Sequence, residues 1–146
     1  MKSILAAVDM SDDCTEVIDT ARSFASAFNV ALHLLHAADP DPEFVGMKAG
    51  PQSVRDSHAE ELKGQHHLLM EMTESLRKNG IEAHAHFVKG PTASTIIDES
   101  EKLNAGLIVM GSHRRGAIAR AVLGSVSEPV LRKSQCPVVI VPVQVS

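Results

Sequence analysis

The sequence predicts a single α/β domain over residues 1–146: a doubly wound, five-stranded parallel sheet in the order 3-2-1-4-5, with helices on both faces. Three observations predict it. Five short apolar runs are separated by longer stretches of helical periodicity, so strand and helix alternate along the chain. Three of the runs are almost continuously apolar, as strands buried on both faces are. The chain has 146 residues, 44% hydrophobic and 22% charged, which is the size and balance of one ordinary domain.

The first run is Ile4 to Val8. Residues 12–28 then place Val17, Ala21, Phe24, Ala25 and Phe28 on one helical face, and Ser11-Asp12-Asp13 supplies acids at the positive end of the helix dipole. The second run, Ala31 to Leu35, leads into Asp39–Ser53, a loop with three prolines. Long loops of this kind are either functional lids or merely mobile, and both readings stay open. Residues 54–78 carry Leu62, Leu69, Met72 and Leu76 and stop at Asn79-Gly80. The third run, Ala83 to Val88, has His84 and His86 on one face and suits an edge position. A helix over 92–103, a fourth run at Gly106–Met110, a helix over 125–133 and a fifth run at Pro137–Val141 complete the chain. With right-handed crossovers, the order 3-2-1-4-5 reverses between strands 1 and 4. Ligands bind beyond the carboxyl ends of strands at such a switch point. Asp9 and Gly111 leave those two strands and place the site.

Composition removes several function classes. The net charge is −4, from 14 basic and 18 acidic residues, and the chain has no Trp or Tyr and only four Phe. Nucleic-acid binding by basic surface or by base stacking is therefore not expected. No apolar run reaches the roughly 18 to 20 residues that span a bilayer. The start, MKSILAAVDMSDD, lacks the pattern of a signal peptide, and Cys14 and Cys136 are too few for a disulfide framework. A cytoplasmic protein with reduced thiols is the expectation. His84 and His86 have a spacing that holds zinc, but no further ligand completes a set, so no metal site is expected. His33 and His36 have opposite parity, and His66-His67 reads as a solvated pair. His113 alone among the histidines is placed at the site.

The segment Met110–Ser127, MGSHRRGAIARAVLGSVS, holds three of the nine glycines. Residues 111–133 also hold Arg114, Arg115, Arg120, Arg132 and Lys133 against Glu128 alone. Glycine lets backbone N–H groups come close to a phosphate, and a helix start near Ser125 favours an anion. The competing reading is structural: Ser125-Val126-Ser127-Glu128 fits a capping box, and the arginines are solvated surface.

The segments ILAAVDMSDD, LLHAAD, VKGPTASTIID, LIVMGSHRRGAIARAVLGSVSEPVLR and CPVVIVP resemble the universal stress protein family in composition and order. The resemblance implies the five-stranded fold of the Rossmann-like, adenine nucleotide hydrolase-like kind, a homodimer and, in one branch, ATP binding through G-x-x-G, nine residues, then G-S or G-T. Gly111, Gly124 and Ser125 match that pattern, and Arg114 stands in place of the second glycine. An arginine there either strains a turn or replaces backbone contacts with a charge-assisted bond to phosphate.

Carried over position by position, the resemblance puts Ala7, Val8 and Asp9 against ribose and base, and Ala37 at the adenine edge. Met110 and Gly111 flank the ribose, and His113, Arg114, Gly124, Ser125, Val126 and Ser127 surround the phosphates. ATP, or AMP or ADP, is the implied ligand. Asp9, Asp12 and Asp13 are either carboxylates for Mg²⁺ or a helix start. The apolar edge strand 137–145 is the implied homodimer contact. The expected function is a stress-response, nucleotide-responsive binding module that acts through a protein partner not named by the sequence. The alternative is a dimeric interaction protein that binds no nucleotide. No P-loop, G-x-S-x-G elbow or Cys/His pairing is present, so at most slow ATP hydrolysis is expected.

Overall fold

The computed structural model describes residues 1–10, 14–38, 52–114 and 124–144. Five strands, β1 (Ser3–Ala7), β2 (Ala31–Ala38), β3 (Ala83–Lys89), β4 (Leu107–Arg114) and β5 (Val138–Gln144), form one sheet in the order β3-β2-β1-β4-β5, every pair parallel. Four helices connect them: α1 (Cys14–Phe28), α2 (Gln52–Lys78), α3 (Thr92–Lys102) and α4 (Ser127–Lys133). The expected order and the edge position of the His84/His86 strand are both present.

Alternation along each strand divides the core. Ile4, Ala6, Val8, Leu32, Leu34, Leu107 and Val109 pack on one face against Val17, Ile18, Ala21 and Ala25 of α1 and Leu69 and Leu76 of α2. Leu5, Leu35, Ile108 and Met110 point to the other face, toward Ile96 of α3 and Val130 of α4. Each fully buried Leu or Ile contributes about 1.5–3 kcal/mol, so the central strands anchor both layers.

Three helices end in the same way. Asn29, Gly80 and Asn104 each take a left-handed φ, of 55°, 85° and 54°. Behind them the Val30, Ile81 and Ala105 N–H groups donate to the carbonyls of Ala25, Leu76 and Ser100 at 3.1, 3.1 and 2.9 Å. This is the six-to-one closure that satisfies the last helical carbonyls, and glycine or asparagine tolerates the conformation it requires.

Three sequence expectations need correction. Gly111 was expected to leave strand 4, but β4 runs on through His113 and Arg114, paired as far as Arg114↔Gln144. The apolar stretch through Val143 prolongs β5 and gives those residues a partner. The helix expected from residue 125 begins at Ser127, and the Ser125 capping box does not form. Val126 is the N-cap, without a side-chain cap, and the Gly124 N–H donates to Ser127 Oγ at 2.9 Å. Pro129 in the first turn shortens α4 to seven residues. α2 begins earlier than expected, at Gln52, while 39–51 of the proline-bearing loop, with Asp12, Asp13, Arg115, Gly116, Arg120 and Val145, lie outside the described residues.

On β2 and β3, His33 Nδ1 lies 2.9 Å from His86 Nε2, and the His33 ring stacks on His84 at 5.1 Å. Burial, then the His86 and His84 rings, push His33 from 6.5 to about 4, with Glu82 opposing. His86 is lowered as well, by burial and His84, against Glu99. Above the unfolded value near 6.5 the folded and unfolded chains both carry neutral rings. Below it the unfolded chain takes up protons that folded His33 refuses until about pH 4, so stability falls across that window. Screening of these half-exposed rings keeps the loss to about 1–2 kcal/mol. Urea unfolding should show the midpoint dropping between pH 7 and pH 5, with a shallower drop in His33→Asn; equal slopes in the two proteins would refute this assignment.

Candidate functional site

The last paired residues of β1 are Ala6, opposite Val109, and Ala7, opposite Leu35. Its neighbours continue: β2 pairs with β3 as far as Ala38, and β4 with β5 as far as Arg114. The short central strand between longer ones leaves an opening at the carboxyl edge, at the switch point between β1 and β4. A cavity of about 460 Å³ occupies it, within the range of small-molecule sites.

The floor is the turn after β1. The Val8 N–H donates to the Leu35 carbonyl at 2.8 Å. The Val8 carbonyl in turn faces His36 Nδ1 at 2.9 Å. A carbonyl only accepts, so Nδ1 carries the proton. His36 Nε2 lies 3.1 Å from Gln65 Oε1 of α2, and Phe87 covers the ring at 5.4 Å. Two residues on, Met10 takes a φ of 62°, which costs a non-glycine residue about 1 kcal/mol or more. That strained turn lifts the chain out of the sheet and leaves exposed Asp9 at the mouth.

The wall opposite belongs to β4. Met110, Gly111 and Ser112 line the cavity with Val126, which stands just before α4. The Ser112 hydroxyl is buried and has no hydrogen-bond partner among the described residues. Such a group costs about 1–3 kcal/mol unless a ligand or water pairs with it. Gly111 has a different role from the one expected. A Cβ there would lie 2.9 Å from Val143 Cγ2 and 3.2 Å from Val17 Cγ2, so the glycine lets α1 close on the β4–β5 ribbon.

Of the residues expected at the site, Ala7, Val8, Asp9, Ala37, Met110, Gly111 and Val126 line the cavity together. His113 and Arg114 continue β4 beyond it. Gly124, Ser125 and Ser127 stand beside Val126 but outside the lining, and the buried Ser127 hydroxyl is engaged with the Gly124 N–H. Sequence reasoning missed His36, Ser112, the α2 face of His58, Glu61, Leu62 and Gln65, and Thr92 and Ile96 of α3. The α2 residues recur at helical spacing, which was the available signal.

The sequence profile of the universal stress protein family matches residues 1–142. The chain belongs to the universal stress protein family. It is similar to universal stress protein MJ0531 of Methanocaldococcus jannaschii, at 31% identity over 96% of this chain and 81% of that protein. The fold is shared with a universal stress protein solved in complex with cAMP, at 23% identity, TM-score 0.72 and 98% coverage of both chains. It is shared too with the universal stress protein of Archaeoglobus fulgidus in complex with dAMP, at 22% identity, TM-score 0.65 and 96% coverage of both chains. Within this universal stress protein fold, the β4 glycine is a packing device. Gly111→Ala should lower stability by about 1–3 kcal/mol in urea unfolding, and Val143→Ala in the same chain should recover part of that loss; full additivity of the two changes would show that the methyl and Val143 do not meet.

Proposed function

We propose that this universal stress protein is a stress-response binding module whose switch-point cavity takes an adenine nucleotide, ATP above all, and whose loops present the bound state to a protein partner. The observation that carries the reading is the cavity at the end of β1, with the unpaired Ser112 hydroxyl in its wall. The cAMP and dAMP complexes of similar proteins support it. The residues present fit such a ligand. Small side chains at Ala7 and Ala37 leave room for a flat base, and the β4 wall continues along the strand to Arg114. There, Met110, Gly111 and Ser112 hold the ribose and first phosphate, and His113, Arg114, Gly124, Ser125, Val126 and Ser127 stand around the remaining phosphates. Asp9, which lines the cavity as Glu61 does, is the carboxylate proposed for an accompanying Mg²⁺. A bound nucleotide supplies charge and a hydrogen-bonding edge here, and no chemical step is assigned to it.

Arg114 in place of the second glycine favours a second reading, a dimeric interaction protein that takes no nucleotide. Ser112→Ala separates the two. It removes an unpaired buried hydroxyl, so the ligand-free protein should keep or slightly gain stability. Under the first reading calorimetry should show ATP binding to the parent and about five- to tenfold weaker binding to the variant. No heat with millimolar ATP, and no nucleotide released on denaturing fresh protein, would sink that reading.

The homodimer is proposed through the β5 edge, where Val138, Val139 and Ile140 are half-buried and Pro142 is exposed. A contact of this kind is two-fold, so a charge placed on one copy faces the same charge on the other. Sedimentation should give twice the monomer mass for the parent and the monomer mass for Pro142→Lys; a parent that sediments as a monomer excludes the contact.

A further inference from the structure

We propose that β3 is an acid-released edge strand: the His33, His84 and His86 rings hold it on β2 while they are neutral, and proton uptake by the cluster frees it and loosens the cavity turn behind it. No ligand is needed for this, so it stands apart from the nucleotide reading. β3 is the outer strand of the sheet and pairs with β2 alone. Its two faces are fastened by different means. Ala83, Ala85 and Phe87 pack into the core shared by α1 and α2. On the opposite face Val88 reaches the α3–α4 core, and beside it half-buried His86 and exposed His84 meet half-buried His33 of β2. The His84 and His86 ring centroids lie 5.1 and 5.0 Å from that of His33, and His33 Nδ1 is 2.9 Å from His86 Nε2.

That contact depends on charge. Two imidazole nitrogens at hydrogen-bond distance need a proton on one and a lone pair on the other, so one of the two rings must stay neutral. A further proton removes the acceptor and sets like charges on neighbouring rings. The groups around the cluster compensate this only in part. Glu82 Oε2 lies 3.7 Å from His84 Nε2 at the surface. Glu99 of α3 acts on His86 but stands 3.8 Å from Lys102 Nζ, and β1 brings only the apolar Leu5 beside His33. Burial first, then His86 and His84, accordingly hold His33 at about 4 against an ordinary 6.5, with Glu82 opposing. Above pH 6.5 the rings are neutral whether β3 is docked or free, and docking has its full strength. At pH 5 a ring that regains its ordinary value on release favours the free strand by about thirtyfold, which screening of the half-exposed cluster trims to about tenfold.

The cavity is reached through the next residue. Phe87 follows His86 on the other face of the strand, where its ring lies 5.4 Å from His36 and 5.3 Å from His66 of α2. His36 in turn holds the Val8 carbonyl. Freed β3 withdraws Phe87, lets water reach His36 and weakens its grip on the turn after β1. Docked or free, β3 is the two-state element that joins the cluster to the cavity.

The test is amide hydrogen exchange of the ligand-free parent, followed by NMR and expressed as protection factors, which removes the intrinsic pH dependence of exchange. Between pH 7.5 and pH 5.0 the paired amides of β3 should lose about tenfold or more in protection relative to those of β4 and β5, and the Val8 amide about threefold or more. His33→Asn keeps a hydrogen-bonding side chain that does not titrate, so its β3 loss should shrink to about threefold or less. Ring spectra of the parent supply a check free of any variant: folded His33 should still be neutral at pH 5.0. Unchanged β3 protection, or folded His33 titrating at its ordinary value, overturns the proposal. So does an equal loss over all five strands, which is global unfolding, or an undiminished response in His33→Asn. Loss in β3 with Val8 fully protected overturns the link to the cavity.

Discussion

Backbone polar groups at the end of a short central strand have to find partners, and that requirement shapes the working edge of the molecule. When β1 leaves the sheet after Ala7, its neighbours continue, and the exposed groups between them cannot all pair within the ladder. The Leu35 carbonyl accepts from the Val8 N–H, and the Val8 carbonyl accepts a hydrogen bond from the His36 side chain. His36 is therefore held by the same need that opens the cavity. Through it Gln65 of α2 is tied to the sheet, so a helix distant in sequence becomes a wall of the site.

The opposite wall solves its own packing problem. Beyond Val109, β4 is paired on one side only, by β5, and this two-stranded ribbon must be covered by α1. The missing side chain at Gly111 allows Val17 and Val143 to meet there. Ser112, next along the ribbon, then points to the α3 and α4 side with its hydroxyl unpaired. A glycine that looks like phosphate-loop chemistry thus serves closure of the fold, while the hydroxyl of its neighbour Ser112 has no hydrogen-bond partner among the described residues.

The strand order, the edge position of β3 and the helix stop at Asn79-Gly80 were legible because they depend on local patterns: apolar runs, polarity of one strand, and a left-handed residue where it is cheapest. The floor of the cavity was legible for the same reason, since Ala7, Val8 and Asp9 follow from where strand 1 ends. The continuation of β4 was not, because Gly111-Ser112-His113-Arg114 has no strand pattern of its own and is extended only by pairing with Val141 to Gln144. His36 and Gln65 are 29 residues apart, and nothing local joins them. Their pairing is a product of α2 packing across β2 and β3.

The two edges of the sheet are connected very differently. At the amino edge, where the helices return to strands, the connections run two to four residues. At the carboxyl edge six residues follow β1, thirteen follow β2 and twelve follow β4, with only the two after β3 kept short. One end of the molecule is stitched by short connections, and the other is joined by longer ones. Sequence can therefore be lengthened, exchanged or grafted at the carboxyl edge with little penalty to assembly of the sheet. The architecture separates the freedom to change specificity from the obligation to fold, which makes it a natural starting frame for engineered small-molecule receptors.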